Sequence, residues 1–178
     1  MDRKKIVEII IFVAVSVFLI FAIPKFVIQR VNVDGDSMVS TLYDEDVFLA
    51  EKVTRYFGAI DRFDIIVFYP NEKEKKKDGI YYVKRVIGLP GETVQIVDQT
   101  ILINGEPLEE SFGSSDMRTA GIAAEPILLG KEEYFVLGDN REVSKDSRFA
   151  EVGLVPLSRI EGKLLLRIFP LKRFGTVN

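Results

Sequence analysis

Ser37, in Gly35-Asp36-Ser37-Met38, and Lys84, in Tyr81-Tyr82-Val83-Lys84-Arg85-Val86-Ile87, are the side chains best suited to covalent chemistry in a chain without histidine or cysteine. A serine hydroxyl is a weak nucleophile until a neighbouring base takes its proton. Without histidine, a serine–histidine–aspartate arrangement is impossible. A lysine amine can replace the histidine if its surroundings keep it neutral, and desolvation among apolar groups does so by disfavouring the ammonium. Such an amine would serve as general base in acyl transfer and then as general acid. Each residue also has a plainer reading. Ser37 alone is a turn serine capping a local amide. Met38 alone is core filler. Lys84 alone is a solvent-facing lysine on a half-exposed strand. Strand alternation puts Tyr82, Lys84 and Val86 on one face, and Tyr81, Val83, Arg85 and Ile87 on the other.

A third cluster follows an apolar run: Gly138-Asp139-Asn140-Arg141-Glu142-Val143-Ser144-Lys145-Asp146-Ser147-Arg148. It reads either as an exposed polar loop or as a scaffold for a site. In the second reading Asp139, Asp146 and Arg148 could form an ion-pair network, and Ser144 or Ser147 could orient an amine.

The elements that must position these groups are legible in outline. Residues 6–23 are apolar except for Glu8 and Ser16. As a helix they span about 27 Å, close to a bilayer's hydrocarbon thickness. Asp2-Arg3-Lys4-Lys5 precedes them, which predicts a cytoplasmic N-terminus. No small-x-small cut site follows, so an uncleaved anchor is favoured over a signal peptide. Beyond Pro24 come short β-branched or aromatic runs at residues 47–50, 64–69, 80–87, 93–97, 101–103, 134–137 and 163–169. Turn signals separate them, including Asn104-Gly105, which fits a tight hairpin. These runs predict a mainly β, barrel-like or sandwich domain behind one transmembrane helix. The expected organisation is a cytoplasmic end at 1–5, an anchor and its exit at 6–28, and an extracytoplasmic domain at 29–178. Residues 71–78 read as a solvated loop. An irregular excursion is expected around 105–130, with 111–126 exposed.

The 178 residues carry 24 Lys and Arg against 27 Asp and Glu, a net charge of -3, which gives no reason to expect nucleic-acid binding. The absence of histidine and cysteine removes the usual zinc ligands, and no acidic run has calcium-loop spacing, so neither metal nor cofactor is expected.

The three clusters, in this order behind one anchor, resemble type I signal peptidases of the short, single-anchor form found in Gram-positive bacteria. The resemblance covers nearly the whole chain. It rests on residues 34–42, on 62–68, on 82–92, and on 136–141 continued through Ser144, Asp146, Ser147 and Arg148. It implies a plasma-membrane serine endopeptidase that removes signal peptides from exported preproteins at Ala-x-Ala sites on the outer face, without nucleic acid. By carry-over Ser37 would be the nucleophile and Lys84 the general base. Ser144 would orient the amine, and Asp139, Asp146 and Arg148 would hold the site's shape. Val33, Met38, Leu42, Tyr82 and Val83 match pocket positions. The Ser37 N–H would meet the oxyanion, while Gly35 stands where some relatives place a second, serine donor.

Two positions depart from the family pattern. Ser40 replaces a usual proline, and Phe63 replaces a usual glycine and would be strained if φ there is positive. They motivate an alternative reading, a catalytically weakened or silent anchored homologue that binds exported chains. A Ser/Lys self-cleaving repressor shares the dyad logic, but its cytosolic nature does not fit the apolar segment.

Overall fold

The computed structural model describes residues 2–57, 60–73, 80–113 and 116–177. Residues 74–78 of the predicted charged loop lie outside the described residues. The first element, α1, spans Arg3–Phe26. Within it Arg3–Ile23 has a mean hydropathy of 3.1 and no side chain packed into the rest of the protein. A helix apolar around its whole circumference has no polar face to show to water. This one is long and apolar enough to cross a membrane.

The remainder is mainly β. One antiparallel sheet contains β1 (Ile28–Asn32), β2 (Val47–Glu51), β3 (Ile65–Phe68), β4 (Tyr82–Gly88), β9 (Glu133–Leu137), β10 (Val155–Pro156), β11 (Ile160–Phe169) and β12 (Gly175–Thr176). Its order is β1-β2-β11-β3-β4-β9-β10, with β12 also on β11. A smaller sheet has the order β7-β6-β5-β8, from β5 (Thr93–Val97), β6 (Thr100–Ile103), β7 (Glu106–Pro107) and β8 (Ile127–Leu128). Asn104 and Gly105 both have positive φ, 54° and 85°, as a tight turn between right-twisted strands requires.

The large sheet is curled. Register breaks in β11 against β2 and β3, and in β4 against β9, bend it. β3 is apolar at every position because both of its faces are covered. Ile65 and Val67 enter one core with Val31, Val33, Met38, Leu42, Phe48 and Leu164, while Ile66 and Phe68 enter another with Val86, Tyr134 and Val136. A third core lies between the sheets, where Val94, Ile96, Ile101 and Ile103 meet Ile87, Phe135 and Leu137.

The irregular excursion is more integrated than its Gly/Ser/Ala composition predicts. Met117 and Ala123 are buried. Arg141 donates two bonds to the Glu110 carboxylate, at 2.6 and 2.7 Å, and Ile122 N–H donates to the Arg148 carbonyl at 2.9 Å. Gly113 and Gly121 lie where a Cβ would meet Arg141 and Arg148 of the 138–148 loop, while most of the described residues of 111–126 are exposed as expected.

Phe63 has φ +74°, the left-handed region that glycine tolerates and phenylalanine does not. Its amide donates to the Val86 carbonyl at 2.8 Å and its carbonyl accepts from Arg85 Nη1 at 2.8 Å, so both sides of the residue are pinned. Its ring packs on Phe112 at a centroid distance of 5.3 Å, which offsets part of the backbone cost. Phe63→Gly should therefore be more stable than Phe63→Ala, by about 1–2 kcal/mol, because both lose the ring but only glycine relieves the backbone. This reverses the usual order of alanine over glycine. Paired thermal melts would show it, and equal melting temperatures would mean that position 63 carries no such strain. Ser40, by contrast, is exposed, and its N–H donates to no backbone carbonyl among the described residues, so a proline there would forfeit no such bond.

Candidate active site

Ser37 leaves β1 at one end of the sheet order, and Lys84 sits in β4, four places along it. A flat sheet would hold them far apart, since neighbouring strands are about 4.8 Å apart. The curl brings them together. Lys84 Nζ lies 2.8 Å from Ser37 Oγ and donates at 2.9 Å to the Val83 carbonyl. At that distance a neutral amine can accept the hydroxyl proton.

The Ser37 turn is built on two buried apolar residues. Met38 and Leu42 are 1% and 0% exposed, and the Met38 carbonyl accepts from Thr41 and Leu42 N–H at 2.9 and 2.8 Å. Gly35, at φ +90°, makes the sharp entry into the turn, where its N–H donates to Asp44 at 3.0 Å. The serine is thus presented from a short loop whose neighbours are anchored in the core.

Lys84 is 4% exposed. Burial lowers its pKa to about 8, against an opposing pull from the Asp146 and Asp139 carboxylates. The ammonium position also lies 5.3 Å from the centre of the Tyr82 ring. Burial of Lys84 departs from the plain reading of a solvent-facing lysine, which would keep its ordinary pKa.

The 138–148 loop braces the Ser37 turn. Gly138 lies where a Cβ would overlap Ser144 Oγ and the Ser37 carbonyl oxygen, so only glycine allows this approach. Asn140 N–H donates to the Ser37 carbonyl and Asn140 Nδ2 to the Asp36 carbonyl, both at 3.1 Å. The expected network of Asp139, Asp146 and Arg148 is two separate buried pairs. Arg148 grips Asp146 through Nε and Nη2, both at 2.8 Å. Asp139 is instead held by Arg85, through Nε at 2.8 Å and Nη2 at 2.7 Å, and accepts from Thr41 Oγ1 at 2.5 Å. Arg85, fully buried beside Lys84 in sequence, stacks its guanidinium 3.7 Å from the Phe112 ring centre. The bond from Ser144 to the lysine amine that the resemblance implies is not formed, and Ser144 Oγ is buried with no hydrogen-bond partner among the described residues.

Arg85, Thr41 and Asn140 are the residues that sequence reasoning left out of the site. An arginine and an aspartate inside otherwise apolar or loop sequence signal a buried pair only when their distance is known. Asn140 lay inside a motif already singled out, and its signal was its place beside Asp139.

A cavity of about 620 Å³ opens beside the Ser37–Lys84 pair. Val33, Met38, Tyr82 and Val83 line it, as the resemblance implies, together with a polar rim that includes Asp34, Asp36, Asn140 and Lys145. Leu42, also expected there, is not among its lining residues; it is fully buried in the same core as Val33 and Met38 and supports the wall from behind. Among the described residues, no group of three or more aspartates and glutamates gathers as a metal site would require.

A family profile described as "Signal peptidase, peptidase S26" matches residues 5–169. The chain is 39% identical over 168 residues to signal peptidase I of Leptolyngbya laminosa, covering 92% of this chain and 79% of that relative. It is 33% identical over 189 aligned positions to signal peptidase IB of Staphylococcus aureus (strain COL), covering 97% and 94% of the two. The crystal structure of a signal peptidase I from Enterococcus faecalis V583 is 35% identical and aligns with a TM-score of 0.45, over 60% of this chain and 97% of that one. With nearly the whole sequence inside the family profile and curated relatives above 30% identity along most of their length, the chain belongs to the signal peptidase family, peptidase S26.

Proposed function

We propose that this chain is a membrane-anchored serine endopeptidase that removes N-terminal signal peptides from exported preproteins, with Ser37 as nucleophile and Lys84 as general base. The observation that carries the reading is the 2.8 Å separation of Lys84 Nζ and Ser37 Oγ, with the amine almost fully buried. Ser37 Oγ attacks the scissile carbonyl carbon while its proton passes to Lys84 Nζ. The carbonyl π electrons move to oxygen, where the Ser37 N–H meets the oxyanion. The C–N bond then breaks, and Lys84 returns the proton to the leaving amine. Water, deprotonated by the same amine, hydrolyses the acyl-serine.

The apolar walls at Val33, Met38, Tyr82 and Val83 suit small side chains before the cut, in the Ala-x-Ala pattern. An extended substrate would add to a sheet edge, its main chain supplying affinity and its alternate side chains specificity. The helix Arg3–Ile23, with Arg3, Lys4 and Lys5 at its start, anchors the chain with its N-terminus in the cytoplasm and the β domain on the outer face of the plasma membrane. Enzyme and substrate then share one membrane plane, which raises their effective concentration.

Pulse-labelling a secreted precursor in cells that depend on this chain tests the reading. Ser37→Ala and Lys84→Ala should both leave the precursor unprocessed. Normal processing by both variants would sink the dyad and favour a silent binding homologue.

A further inference from the structure

We infer that Asn140 is the positioning residue of the oxyanion site, aiming the Ser37 N–H by fixing the peptide plane between Asp36 and Ser37. The inference rests on the Ser37–Lys84 reading above. In a trans peptide the C=O and N–H point in opposite directions across a rigid plane. The Asp36 carbonyl and the Ser37 N–H belong to one such plane. Whatever holds that carbonyl therefore orients the donor that meets the oxyanion.

Two groups hold it. Val39 N–H donates to the Asp36 carbonyl at 3.2 Å from within the turn, and Asn140 Nδ2 donates at 3.1 Å from the opposite loop. A carbonyl can only accept, so the amide nitrogen of Asn140, not its oxygen, must face it. Asn140 also grips the next carbonyl, since its backbone N–H donates to Ser37 at 3.1 Å. Two successive carbonyls of the nucleophile turn are thus drawn toward one residue, and the Ser37 N–H is turned away from it.

This chain needs the brace more than one with a side-chain oxyanion donor. Gly35 offers no hydroxyl. It sits at φ +90° with nothing within 4 Å of its side-chain direction, so no packing steadies the turn from that side. The Ser37 N–H then carries the oxyanion without a helper from position 35, and a misaimed donor has no substitute. Preorganised donors work because they need no reorientation at the moment of reaction.

Removing the Asn140 side chain leaves its backbone bond to Ser37 in place, so the loop stays docked while the peptide plane gains freedom. With full-length protein in detergent micelles and a signal-peptide substrate, Asn140→Ala should lower kcat by about 10–100-fold with KM within about twofold of wild type. Asn140→Asp, equal in shape but repelled by the Asp36 carbonyl, should lose more. In Asn140→Ala the acid limb of the pH profile should stay in place, because the change is neutral and leaves Lys84 untouched. A peptide aldehyde gives a second readout that needs no turnover. Ser37 Oγ adds to its carbonyl carbon, the proton goes to Lys84, and the aldehyde oxygen becomes an alkoxide in the same site. Its advantage over the matching peptide amide should shrink by the same factor as kcat.

In Asn140→Ala, a raised KM with unchanged kcat, a displaced acid limb, or an undiminished aldehyde preference would each overturn the inference. A Ser37→Ala control separates its failure from that of the underlying reading. An inactive Ser37→Ala beside a fully active Asn140→Ala removes only the role of Asn140, whereas an active Ser37→Ala removes the dyad itself.

Discussion

Lys84→Met should abolish turnover and, at neutral pH, make the folded protein more stable. A positioned general base contributes about 10²–10⁴ in rate, and a serine with no base stays a hydroxyl, so a loss on the order of 10⁴-fold is expected. The stability gain follows from the same burial. Burial lowers the lysine pKa from 10.5 to about 8. Between those values the unfolded chain binds a proton that the folded chain has released, so stability rises with pH across that window. Below pH 8 both states are charged and the folded state carries the full cost of the buried ammonium, about 3 kcal/mol. Methionine has similar length and no charge to desolvate. Its gain is reduced by the lost bonds to the Val83 carbonyl and Ser37 Oγ, each about 1 kcal/mol. A net gain of about 1 kcal/mol at pH 7, or roughly 2–4 °C in Tm, should reverse by pH 10.5 to a loss of about 2 kcal/mol, because the charge cost is gone and the lost bonds remain. In the wild type, turnover should climb through pH 8 and level off above it as the amine becomes neutral. Thermal melts at two pH values and a pH–rate profile check both halves. An active Lys84→Met, or an activity optimum below neutrality, would remove lysine from the role of base.

The strand content was legible because burial on one or both faces writes itself into β-branched and aromatic runs. The run at residues 93–97 coincides with β5, those at 47–50 and 134–137 differ from β2 and β9 by one residue at one end, and that at 64–69 exceeds β3 by one residue at each end. β1 went unseen because Ile28–Asn32 mixes Gln29, Arg30 and Asn32 into an edge strand whose pattern is too polar. The curl was not legible at all. It depends on register breaks in the 10-residue strand β11, and register is a relation between strands, not a property of either. For the same reason Ser37 and Lys84 could be named singly but not brought together from spacing. Arg85 shows a further limit. Alternation puts it on the face opposite Lys84, yet both faces of β4 are covered there, so neighbouring cations are both buried. Only the partner reached across the fold, Asp139, explains how the second cation is tolerated.

That pairing gives the second large effect. Asp139→Ala should destabilise the protein by about 3–5 kcal/mol, since it strands a fully buried guanidinium. The loss should reach further than one ion pair. Arg85 ties Asp139 to the Phe63 carbonyl and to Thr41, and Thr41 itself donates to Asp139, so three loops around the site share the same two residues. A fall in Tm of roughly 10 °C or more is expected. Below the transition, the acid limb of the pH–rate profile should move to lower pH, because the Asp139 carboxylate is one of the two charges that hold the Lys84 ammonium in place. Stability and the acid limb therefore change together for one electrostatic reason, which a purely steric defect would not produce. Adding Arg85→Met to Asp139→Leu should recover much of the stability lost by Asp139→Leu alone, as an apolar pair no longer leaves a charge unpaired. If the double variant is as unstable as the sum of the singles, the cost lies in the shape of the loops rather than in the stranded charge.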